Sequence, residues 1–507
     1  MLEKRGLFLS SVLDADERLI IDTKAGLSTG GDAYEITDLV RSDLKRIAEK
    51  VATIAPGLDV TGVDILANDH FNARSELNYI IVEANTRPNL SGHIFPDYGR
   101  PNYVHRKVAE YCYKKMGHEI PKPQKKIRLS EVSKMVTDTS SRDFHKMTEV
   151  SLVFGGDTSL GYSYIQKNGD AKLKKRLIEA PLDFFDALMP LISENDHFVL
   201  NLETVLAQSA KDIWGGKKNF LGLDDPCQTV SALKTIGVDS VSVANNHTLD
   251  YGVAPFLETL NELQNSGINT FGGGRNRQES LSPLILPTNY GNIYIFGGFE
   301  FRRNYQENFK FYSELNRPGV QRFSLTSESR LSEEIRTVRK NDHDSFIVVF
   351  PHWGGAKNYA WANRNMLIAN TSFMKAGADI VLGHGAHMLQ QCWVEDGNTT
   401  VFSLGNFVFN SPGRYQKVGA PPYSAVARLN LKRIGEKWAA GLRLYPVVSD
   451  NKVTNYQPRP VSEIEMVDVF NALTENGQRI FQQSYSLGQD KRGFFLERRG
   501  PVSRKCI

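Results

Sequence analysis

Cysteine is scarce in this chain of 507 residues, which contains only four. They lie far apart and form no C-x-x-C pair, at Cys112, Cys227, Cys392 and Cys506. Small secreted scaffolds depend on dense cysteine pairing, and many structural zinc sites use closely spaced thiolates. The scarcity therefore argues against both a disulfide framework and a thiolate metal site, and it fits a reducing cytoplasm.

Long apolar runs and a strong excess of charge are also lacking. No stretch approaches the ~18 uninterrupted apolar residues of a membrane-spanning helix, so we expect no membrane span. The apolar segment near the N-terminus is broken by Ser10 and Ser11 and has no clear cleavage site, which argues against a secretion signal. Lys plus Arg number 61 and Asp plus Glu 57, and the net charge of +4 argues against a nucleic-acid partner. These features predict a cytoplasmic protein.

The N-terminal part of the chain, residues 1–116, alternates strand-like and helix-like segments. A helix is predicted over 37–55, capped by Thr37 or Asp38. Its apolar residues recur at helical spacing, at Leu39, Ile47, Val51 and Ile54. Two strands flank the segment N-D-H-F-N-A-R-S-E-L, which predicts a hairpin. Residues 117–147 are highly charged and contain two prolines, a composition typical of a linker.

The remainder of the chain has a different rhythm. Across 148–460, short β-branched or aromatic runs alternate with helical or loop segments, which predicts a layered α/β domain with largely buried strands. Residues 461–507 include a short helix predicted over 462–473 and capped by Ser462. The basic cluster from Lys491 to Lys505 is interpreted as a solvated tail, with binding of an anionic partner as the less favoured alternative.

Polar residues follow five of the predicted strands in the 148–460 region. They are Asp157, Asn201, Glu203, Asn245, Asn246, His247, His352, His384 and His387. Loops beyond the carboxyl ends of parallel strands converge on one edge of a sheet, so we expect these side chains to meet there. Taken singly, each is better explained as a turn residue, a helix cap or a packed histidine.

Taken together, the same residues indicate a metal site. The chain has only 11 histidines, and four of them stand at these strand ends beside small residues or glycines, which we expect to leave room for a bulky group. Oxygen and nitrogen ligands without thiolate suit Mn, Fe or Zn. Two such ions, about 3.5 to 4 Å apart, would clamp the attacking and leaving oxygens of a displacement at phosphorus. Asp157 or Glu203 would supply the bridging carboxylate.

Seven motifs occur in order between about 149 and 460: G-D-T-S-L-G, N-L-E-T, A-N-N-H-T-L-D-Y-G, G-G-G-R-N, H-W-G, G-H-G-A-H and F-S-L-G-N-F-V-F. This series resembles the bacterial poly-γ-glutamate capsule-synthesis (CapA-like) family, a branch of the calcineurin-like metallophosphoesterase superfamily. The resemblance implies an α/β fold, a four-layer α/β/β/α sandwich with a two-metal site. It implies that the metal ligands are Asp157, Glu203, Asn246, His352, His384 and His387. His247 would assist the leaving group or transition state, and Asp157 would share the catalytic role.

Three departures from the superfamily pattern leave the occupancy of one metal position open. Ser159 stands where the first motif usually has a histidine, the last pair is H-x-x-H, and N-L-E replaces G-D. Asp250 is interpreted as an orienting or capping residue. Asn201 and Asn245 are predicted to contact substrate. Arg275 is a candidate for gripping an anionic substrate, although an ordinary glycine turn explains its motif equally well.

A second acidic set lies in the N-terminal region, at Asp64, Glu83 and Asn85. Residues two apart on a strand share a face, so Glu83 and Asn85 project together, and Asp64 on the neighbouring strand could join them. Three oxygen ligands of this kind suit magnesium bound to nucleotide phosphates. A polar strand pair beside a turn is an equally good explanation of these residues alone.

The segments L-S-T-G-G-D-A-Y-E-I-T-D, G-L-D-V-T-G-V-D-I-L and I-I-V-E-A-N-T-R-P-N-L-S-G-H resemble the C-terminal part of an ATP-grasp carboxylate–amine ligase of the cyanophycin-synthetase and glutathione-synthetase type. This resemblance covers 1–116 and implies Mg and ATP as cofactors, with Arg87 near the phosphates. The upstream subdomain that such a ligase needs has no room before Met1. We therefore expect a truncated product, a structural remnant, or one half of a split enzyme whose partner supplies the missing part.

The leading hypothesis is a metal-dependent protein that forms or processes poly-γ-glutamate or a related amide-linked polymer through phosphoesterase-type hydrolysis. Its partner would be an anionic polymer or a phosphorylated small substrate. One rival is a non-catalytic module that binds or assembles an anionic polymer in the same pocket. Another is a split ATP-dependent ligase completed by a separate polypeptide.

Overall fold

The structure is a computed structural model that divides the chain into two compact units, 1–123 and 124–507. It describes residues 33–117, except 38, 55–56, 58, 87, 89, 91–92, 94–101 and 103; residues 137–138; and residues 149–499, except 168–169, 289–290, 326–327, 355–357, 396–397 and 435–436. Within these ranges, no helix is both long enough and apolar enough to cross a membrane. The finer domain boundaries at 116, 147 and 460 stay predictions.

The described part of the first unit contains two helices and a hairpin. Its elements are α1 (Ser42–Ala52), β1 (Gly62–Ala67), β2 (Tyr79–Asn85) and α2 (Val104–Lys115). The predicted hairpin is present, because β1 and β2 pair antiparallel with a bulge between Asp64 and Ile65. The predicted linker, 117–147, falls almost wholly outside the described residues, which include only 117, 137 and 138 of it.

The first helix is shorter than the range 37–55 predicted from its apolar spacing. It begins at Ser42, with Arg41 at the N-cap position and no side-chain cap. Thr37 does not cap it, since the Thr37 N–H donates to the Glu35 carboxylate in the preceding turn, and Asp38 lies outside the described residues. Leu39 is 65% exposed because it precedes the helix. The helical spacing of apolar residues therefore extends N-terminal to the residue at which the helix begins.

The second unit is built on many strands. They are β3 (Thr137–Asp138), β4 (Glu149–Ser159), β5 (His197–Leu202), β6 (Val205–Leu206), β7 (Leu223–Asp224), β8 (Ser240–Ser242), β9 (Asn269–Phe271), β10 (Gly273–Gly274), β11 (Leu284–Thr288), β12 (Gly291–Glu300), β13 (Gly319–Val320), β14 (Arg322–Phe323), β15 (Phe346–His352), β16 (Ile380–Leu382), β17 (Cys392–Glu395), β18 (Asn398–Val401), β19 (Asn406–Phe409), β20 (Tyr423–Ile434), β21 (Lys437–Val448), β22 (Arg459–Pro460), β23 (Tyr485–Asp490) and β24 (Gly493–Arg498).

Helices connect these strands and cover the sheets. They are α3 (Tyr162–Lys167), α4 (Ala171–Glu179), α5 (Met189–Ile192), α6 (Pro226–Thr235), α7 (Val253–Asn265), α8 (Arg277–Leu281), α9 (Arg303–Glu307), α10 (Arg330–Asn341), α11 (Arg364–Ala376), α12 (Tyr415–Val418), α13 (Asn451–Thr454) and α14 (Glu463–Ser484), with single 3₁₀ turns at Pro181–Phe184 and Asp186–Leu188.

Two sheets form the centre of the second unit. One follows the order β3-β23-β24-β21-β20-β4-β5-β8-β9, with β19 beside β4 and β22 beside β21. The other follows β11-β12-β15-β16-β18-β17, with β14 beside β12. The strands β4, β5 and β8 are parallel in the first sheet, and β12, β15, β16 and β18 are parallel in the second. Each sheet therefore gathers several strand ends at one edge.

Alternate residues of the buried strands pack on opposite sides of each sheet, which produces four layers. Phe154 of β4 and Phe350 of β15 meet between the sheets, with ring centres 5.6 Å apart. On the outer face of the first sheet, Val153 packs in a cluster with residues of α6 and α7. On the outer face of the second, Val349 packs in a cluster with residues of α10 and α11. This arrangement confirms the predicted α/β/β/α sandwich.

The C-terminal region is more ordered than a short helix followed by a tail. The helix α14 extends to Ser484, beyond the predicted end at residue 473. The strands β23 and β24 then form a hairpin, and β24 pairs with β21 in the first sheet. The solvated-tail interpretation is therefore wrong for the described part of the basic cluster, where Lys491 and Arg492 also pair with Glu194. Residues 500–507 lie outside the described residues.

The predicted cap of α14 at Ser462 is confirmed and belongs to a capping box. Ser462 Oγ accepts a hydrogen bond from the Glu465 N–H at 3.4 Å, and Glu465 Oε2 accepts one from the Ser462 N–H at 2.8 Å. Arg459 also binds the Glu465 carboxylate through two nitrogens. The sequence S-E-I-E thus fixes the start of the helix that packs against the central core.

Replacing Glu465 with glutamine is expected to lower the free energy of unfolding by about 1 kcal/mol at neutral pH, because the neutral amide loses the partly exposed ion pair with Arg459. The Arg459 hydrogen bond is the main cause of lowering the pKa of Glu465 to about 2. Because the pKa of Glu465 is lower in the folded state, its ionised carboxylate stabilises the fold at pH values above its ordinary pKa of 4.5. This stabilisation is lost as the pH falls towards 2. Denaturant unfolding of wild type and Glu465→Gln should therefore show a difference in the free energy of unfolding that becomes smaller as the pH falls below that ordinary pKa. A difference independent of pH would contradict the assignment.

Candidate metal centre

Asp157 occupies the centre of a buried polar cluster at the carboxyl end of β4, and its side chain is fully buried. Asp157 Oδ1 accepts a hydrogen bond from Asn201 Nδ2 at 2.9 Å, and Oδ2 accepts one from the Gly385 N–H at 3.1 Å. The Nδ1 atoms of His384 and His387 lie 3.2 and 3.3 Å from its two oxygens. One carboxylate from the first sheet therefore faces imidazoles that follow the second.

Two of the histidines come from neighbouring strands of the second sheet. His352 ends β15 and His384 follows β16, and their Nδ1 atoms lie 3.1 Å apart. His352 Nε2 lies 2.6 Å from Asn246 Oδ1, which comes from the loop after β8 of the first sheet. The edges of the two sheets therefore contribute to a single site.

Glu203 and His384 each leave a buried polar atom without a partner among the described residues. Glu203 Oε1 and His384 Nε2 accept or donate no hydrogen bond. Glu203 Oε1 nevertheless lies 3.7 Å from His247 Nε2 and 4.0 Å from His352 Nε2. Buried polar atoms of purely structural residues normally have a hydrogen-bond partner. A buried carboxylate oxygen without one, facing two imidazoles, is better explained as part of a cation-binding position.

The donor groups can hold a metal. Potential ligand atoms of Asp157, His352 and His384 lie within 4.8 Å of one another, and so do those of Asp157, Glu203 and His387. Both groups share Asp157, so its two oxygens could serve two positions. The set of carboxylate, amide and imidazole donors matches borderline divalent ions. We call these residues, together with Asn246, the metal cluster.

The electrostatics of the metal cluster separate its two carboxyl groups. Burial raises the pKa of Glu203 well above its usual value, and the charge of Asp157 raises it further. Burial also opposes ionisation of Asp157, but hydrogen bonds from His384 and His387 outweigh it and hold the pKa of Asp157 well below its usual value. Burial lowers the pKa of His352 well below its usual value. Neutral imidazoles are the form that binds metals, and a bound cation would favour ionised Glu203.

His247 is held by a buried network rather than by the metal cluster itself. His247 Nδ1 lies 2.6 Å from Asp250 Oδ2, which also accepts the Gly222 N–H at 2.6 Å. Asp250 Oδ1 pairs with Lys218 Nζ at 2.5 Å. Because a carboxylate accepts the proton on Nδ1, the free Nε2 atom of His247 faces Glu203. The structure therefore places Asp250 as an orienting residue.

Lys218 is a member of this network that the sequence interpretation missed. Its side chain is only 4% exposed, and its ammonium lies 5.6 Å from the Tyr305 ring centre and 5.5 Å from that of Phe311. The segment W-G-G-K-K-N carries no pattern that distinguishes Lys218 from the exposed Lys217. Only the three-dimensional partner Asp250 identifies it.

Replacing Lys218 with methionine is expected to lower the free energy of unfolding by about 2 kcal/mol. Breaking a buried ion pair can cost about 3 to 5 kcal/mol, but Asp250 would keep the Gly222 and His247 contacts. Urea unfolding of Lys218→Met and of Lys217→Met, which changes the exposed neighbour, measures the difference in the free energy of unfolding. Equal stability of the two variants would contradict a buried pair at Lys218.

Ser159, at the position of the missing histidine, takes part in a structural bond. Its hydroxyl donates to Asp224 Oδ2 at 2.9 Å. The same carboxylate accepts the N–H groups of Leu160 and Tyr162, and burial raises its pKa. Ser159 therefore anchors the loop after β4 to β7, which explains how the first motif is held in place without the histidine.

The other predicted residues of this site divide into two groups. Asn201 and Asn245 lie in the cluster's support, since Asn245 Nδ2 donates to Asn201 Oδ1 at 3.0 Å and Asn245 Oδ1 accepts the His247 N–H at 3.0 Å. Arg275 is not brought to them. Its guanidinium donates to Asn261 and pairs with Glu279 on an exposed surface. Substrate contact by these three residues stays a prediction.

Asn406 and Tyr415 support His387 and were missed as site residues. His387 Nδ1 lies 2.8 Å from Asn406 Oδ1, and Asn406 Nδ2 donates to the Tyr415 hydroxyl at 3.1 Å. His387 also has a φ of 60°, a left-handed backbone that non-glycine residues rarely adopt. Asn406 lies in the motif F-S-L-G-N-F-V-F, beside another strand end. This position is the signal from which the sequence could have identified it as a site residue.

The predicted magnesium residues of the first unit lie on one part of its hairpin. Asp64 is directly opposite Glu83 in the β1–β2 register. Asn85 Nδ2 donates to Glu83 Oε1 at 2.8 Å. Asp64 and Glu83 are exposed, so both remain accessible to a ligand. Arg87 lies outside the described residues.

A four-layer α/β/β/α sandwich with a buried carboxylate, amide and histidine cluster at its strand ends defines a metallophosphoesterase-like protein. Residues 151–411 match the family model described as bacterial capsule synthesis protein PGA_cap. The chain belongs to this family.

Similar proteins extend this result. The PGA biosynthesis protein CapA of Bacillus subtilis (strain 168) is 26% identical over 261 residues, 52% of this chain and 63% of that protein. The capsule biosynthesis protein CapA of Bacillus anthracis is 25% identical over 296 residues, 58% of this chain and 67% of that protein. A cyanophycin synthetase of Crocosphaera subtropica is 35% identical over 113 residues, 22% of this chain and 13% of that protein. Both predicted resemblances are confirmed, although the chain spans only part of each relative.

Proposed function

We propose that the second unit is a metal-dependent, phosphoesterase-type hydrolase that acts in forming or processing poly-γ-glutamate or a related amide-linked polymer. Family membership and the names of the CapA relatives support the polymer. The observation that carries the hydrolase is Asp157, a single buried carboxylate shared by two groups of potential metal ligands. The cytoplasm is the proposed location.

The metal cluster would hold two divalent ions, with Mn, Fe and Zn as candidates. Bound at such a site, the ions act as Lewis acids that neutralise charge developing on a phosphoryl group. Asp157 would bridge the two positions, and Glu203 would turn its unpartnered oxygen towards one of them. His247, whose ring is fixed by Asp250 through Nδ1, would first take up a proton on Nε2 from solvent and then give it to the leaving oxygen.

Metal content and turnover test this proposal directly. The purified full chain should carry divalent metal, and it should hydrolyse a phosphomonoester such as p-nitrophenyl phosphate more rapidly when Mn²⁺ is added. Treatment with a chelator should remove the activity, and restoring Mn²⁺ should return it. A His384→Ala variant should lose both metal and turnover. A wild-type chain without bound metal and without metal-stimulated hydrolysis would contradict the proposal.

A non-catalytic binding module is the second candidate, and the position of Ser159 favours it. The hydroxyl that replaces the usual histidine is committed to Asp224, which removes one group that hydrolases of this fold use. The site would then hold an anionic polymer without cleaving it. Retained binding of polyglutamate by Asp157→Ala and His384→Ala, with no turnover by wild type, would support this alternative.

For the first unit, we propose an ATP-grasp ligase portion that needs a nucleotide-binding half from the same or another polypeptide. The similarity to cyanophycin synthetase and the juxtaposition of Asp64, Glu83 and Asn85 support this. Mg and ATP would be its cofactors. The chain alone is expected not to bind ATP, whereas a mixture with the product of a neighbouring gene for the missing half should bind it. ATP binding by the chain alone, or no binding by the mixture, would contradict the split arrangement.

A further inference from the structure

Two arginines place their guanidinium groups against aromatic rings, and each of these rings contacts a histidine of the metal cluster. We propose that Arg302 and Arg414 bind oxyanion groups of the substrate, phosphate or carboxylate, on the two sides of the metal cluster. This inference rests on the proposed function, since it names the substrate chemistry of the same site. It assigns the anion-binding role to residues other than Arg275.

Arg302 lies on the side of His352. Its guanidinium carbon is 5.0 Å from the ring centre of Phe299, and that ring packs edge-on against His352 at 5.5 Å. Nε and Nη2 of Arg302 both bind Glu300 Oε1 at 2.6 Å. Neither contact uses Nη1, and the side chain is 21% exposed. Glu300 therefore fixes the guanidinium while one edge remains available to a ligand.

Arg302 is also linked to the loop that follows His352. Glu300, which binds the guanidinium, accepts a hydrogen bond from the Gly354 N–H through Oε2 at 3.3 Å, and Gly354 lies two residues after His352. The guanidinium is therefore held beside the metal cluster, where its charge can stabilise a bound anion.

Arg414 has the corresponding position on the side of His387. Its guanidinium carbon is 5.4 Å from the ring centre of Tyr359, and the Tyr359 ring lies 5.3 Å from the ring of His387. Arg414 is exposed, and none of the ion pairs found among the described residues includes it. Tyr359 has a φ of 66°, and its ring also packs against Tyr415 at 4.7 Å. A fixed aromatic ring thus supports a guanidinium that keeps its charge for a ligand.

The pairing of each arginine with an aromatic ring and a cluster histidine has a chemical consequence. A guanidinium offers several N–H donors in one plane and binds phosphate or carboxylate in a bidentate manner. A substrate whose reacting group sits at the metal cluster would present further oxyanions to Arg302 and Arg414. A phosphorylated substrate and a chain of γ-linked glutamates both supply such groups.

Calorimetric titration of the full chain loaded with Mn²⁺ tests the assignment, with inorganic phosphate and tri-γ-glutamate as separate probes. Arg302→Gln and Arg414→Gln should each raise the Kd of the bound probe by about tenfold or more, as expected for losing a hydrogen bond to a charged group. The matched controls are Arg303→Gln, whose side chain is 83% exposed, and Lys417→Gln, which is also exposed. They should bind like wild type.

The two probes distinguish the source of the oxyanion, since an effect confined to phosphate indicates phosphoryl recognition and one confined to tri-γ-glutamate indicates carboxylate recognition. Arg302→Lys should recover part of the affinity, and both glutamine variants should keep the wild-type metal content. Arg414→Gln should also keep the wild-type melting temperature, whereas Arg302→Gln should melt at a lower temperature because it removes the ion pair with the buried Glu300. Unchanged binding by both glutamine variants, equal losses in the controls, or binding of neither probe by wild type would overturn the inference. Arginine-dependent binding without hydrolysis would instead contradict only the hydrolase.

Discussion

Replacing Asp157 with alanine is expected to abolish metal binding by the second unit. Loss of a residue that merely orients a metal ligand usually costs about 10- to 100-fold in affinity, and Asp157 would contact the metal itself. Both groups of potential ligands include this carboxylate, so its removal affects both positions at once. We therefore expect a loss of affinity greater than about 100-fold.

The surroundings of Asp157 explain why no other group would replace it. Its oxygens accept hydrogen bonds from Asn201 Nδ2 and the Gly385 N–H, which fix the carboxylate, and His384 and His387 approach both oxygens. Glu203, the other acid of the metal cluster, also contacts Asn201, whose Nδ2 lies 3.5 Å from Glu203 Oε2, but it belongs to only one of the two groups of potential ligands. Without Asp157, His352, His384 and His387 would lose the negative charge that all three of them face.

Elemental analysis after dialysis measures the result as metal atoms per chain, with circular dichroism to verify folding. Glu307→Ala is a suitable control, because Glu307 is an exposed carboxylate, 64% accessible, whose ion pair with Arg303 is on the surface. The control should keep the wild-type metal content. An Asp157→Ala chain that is folded and keeps this content would contradict a shared metal site at Asp157.

Much of the fold and the assembly of the candidate site could be predicted because both follow from strand geometry. Short buried runs separated by helices imply a layered sheet protein, and parallel strands deliver their following loops to one edge. Asp157, Asn246 and His352 come from three strands that are distant in sequence, yet they lie within one cluster. The direction of a parallel strand is sufficient to predict that kind of convergence.

Residues outside this periodic pattern could not be predicted. Lys218 lies in an irregular loop, and its partner Asp250 is fixed by packing rather than by spacing. Arg275 follows a glycine-rich motif that suggested an anion site, but its side chain is used by Glu279 and Asn261. Arg302 has no comparable motif. Contacts of long polar side chains depend on tertiary structure, which local sequence does not encode.

The glycines beside the site do not leave the room for a bulky group that the sequence suggested. A Cβ at Gly156 would overlap the carbonyl oxygen of Gly405, and one at Gly383 would overlap the carbonyl oxygen of Phe402 and the Trp353 indole. These spaces are filled by neighbouring protein atoms. The glycines allow the loops of the two sheets to pack together, which is how the metal cluster is assembled.

Gly156→Ala is therefore expected to lower the free energy of unfolding by about 3 kcal/mol or more, at the upper end of the usual cost of overpacking. The conflicting atom belongs to the backbone of Gly405, whose φ of 74° and hydrogen bond from the Asp157 N–H at 2.9 Å restrict its movement. Any relief of the overlap must displace β4 from the loop before β19, and Asp157 moves with β4. Metal content should fall together with stability.

Gly441→Ala provides the matched control, because Gly441 is an exposed strand residue of β21 and a Cβ there would meet no atom within 4 Å. Its stability should change by less than about 1 kcal/mol, since alanine at an unstrained position mainly reduces the freedom of the unfolded chain. Urea unfolding and elemental analysis of the two variants separate the specific overlap from a general effect of adding a methyl group. If Gly156→Ala unfolds like Gly441→Ala and keeps its metal, then the contact between Gly156 and Gly405 does not hold Asp157 in the metal cluster.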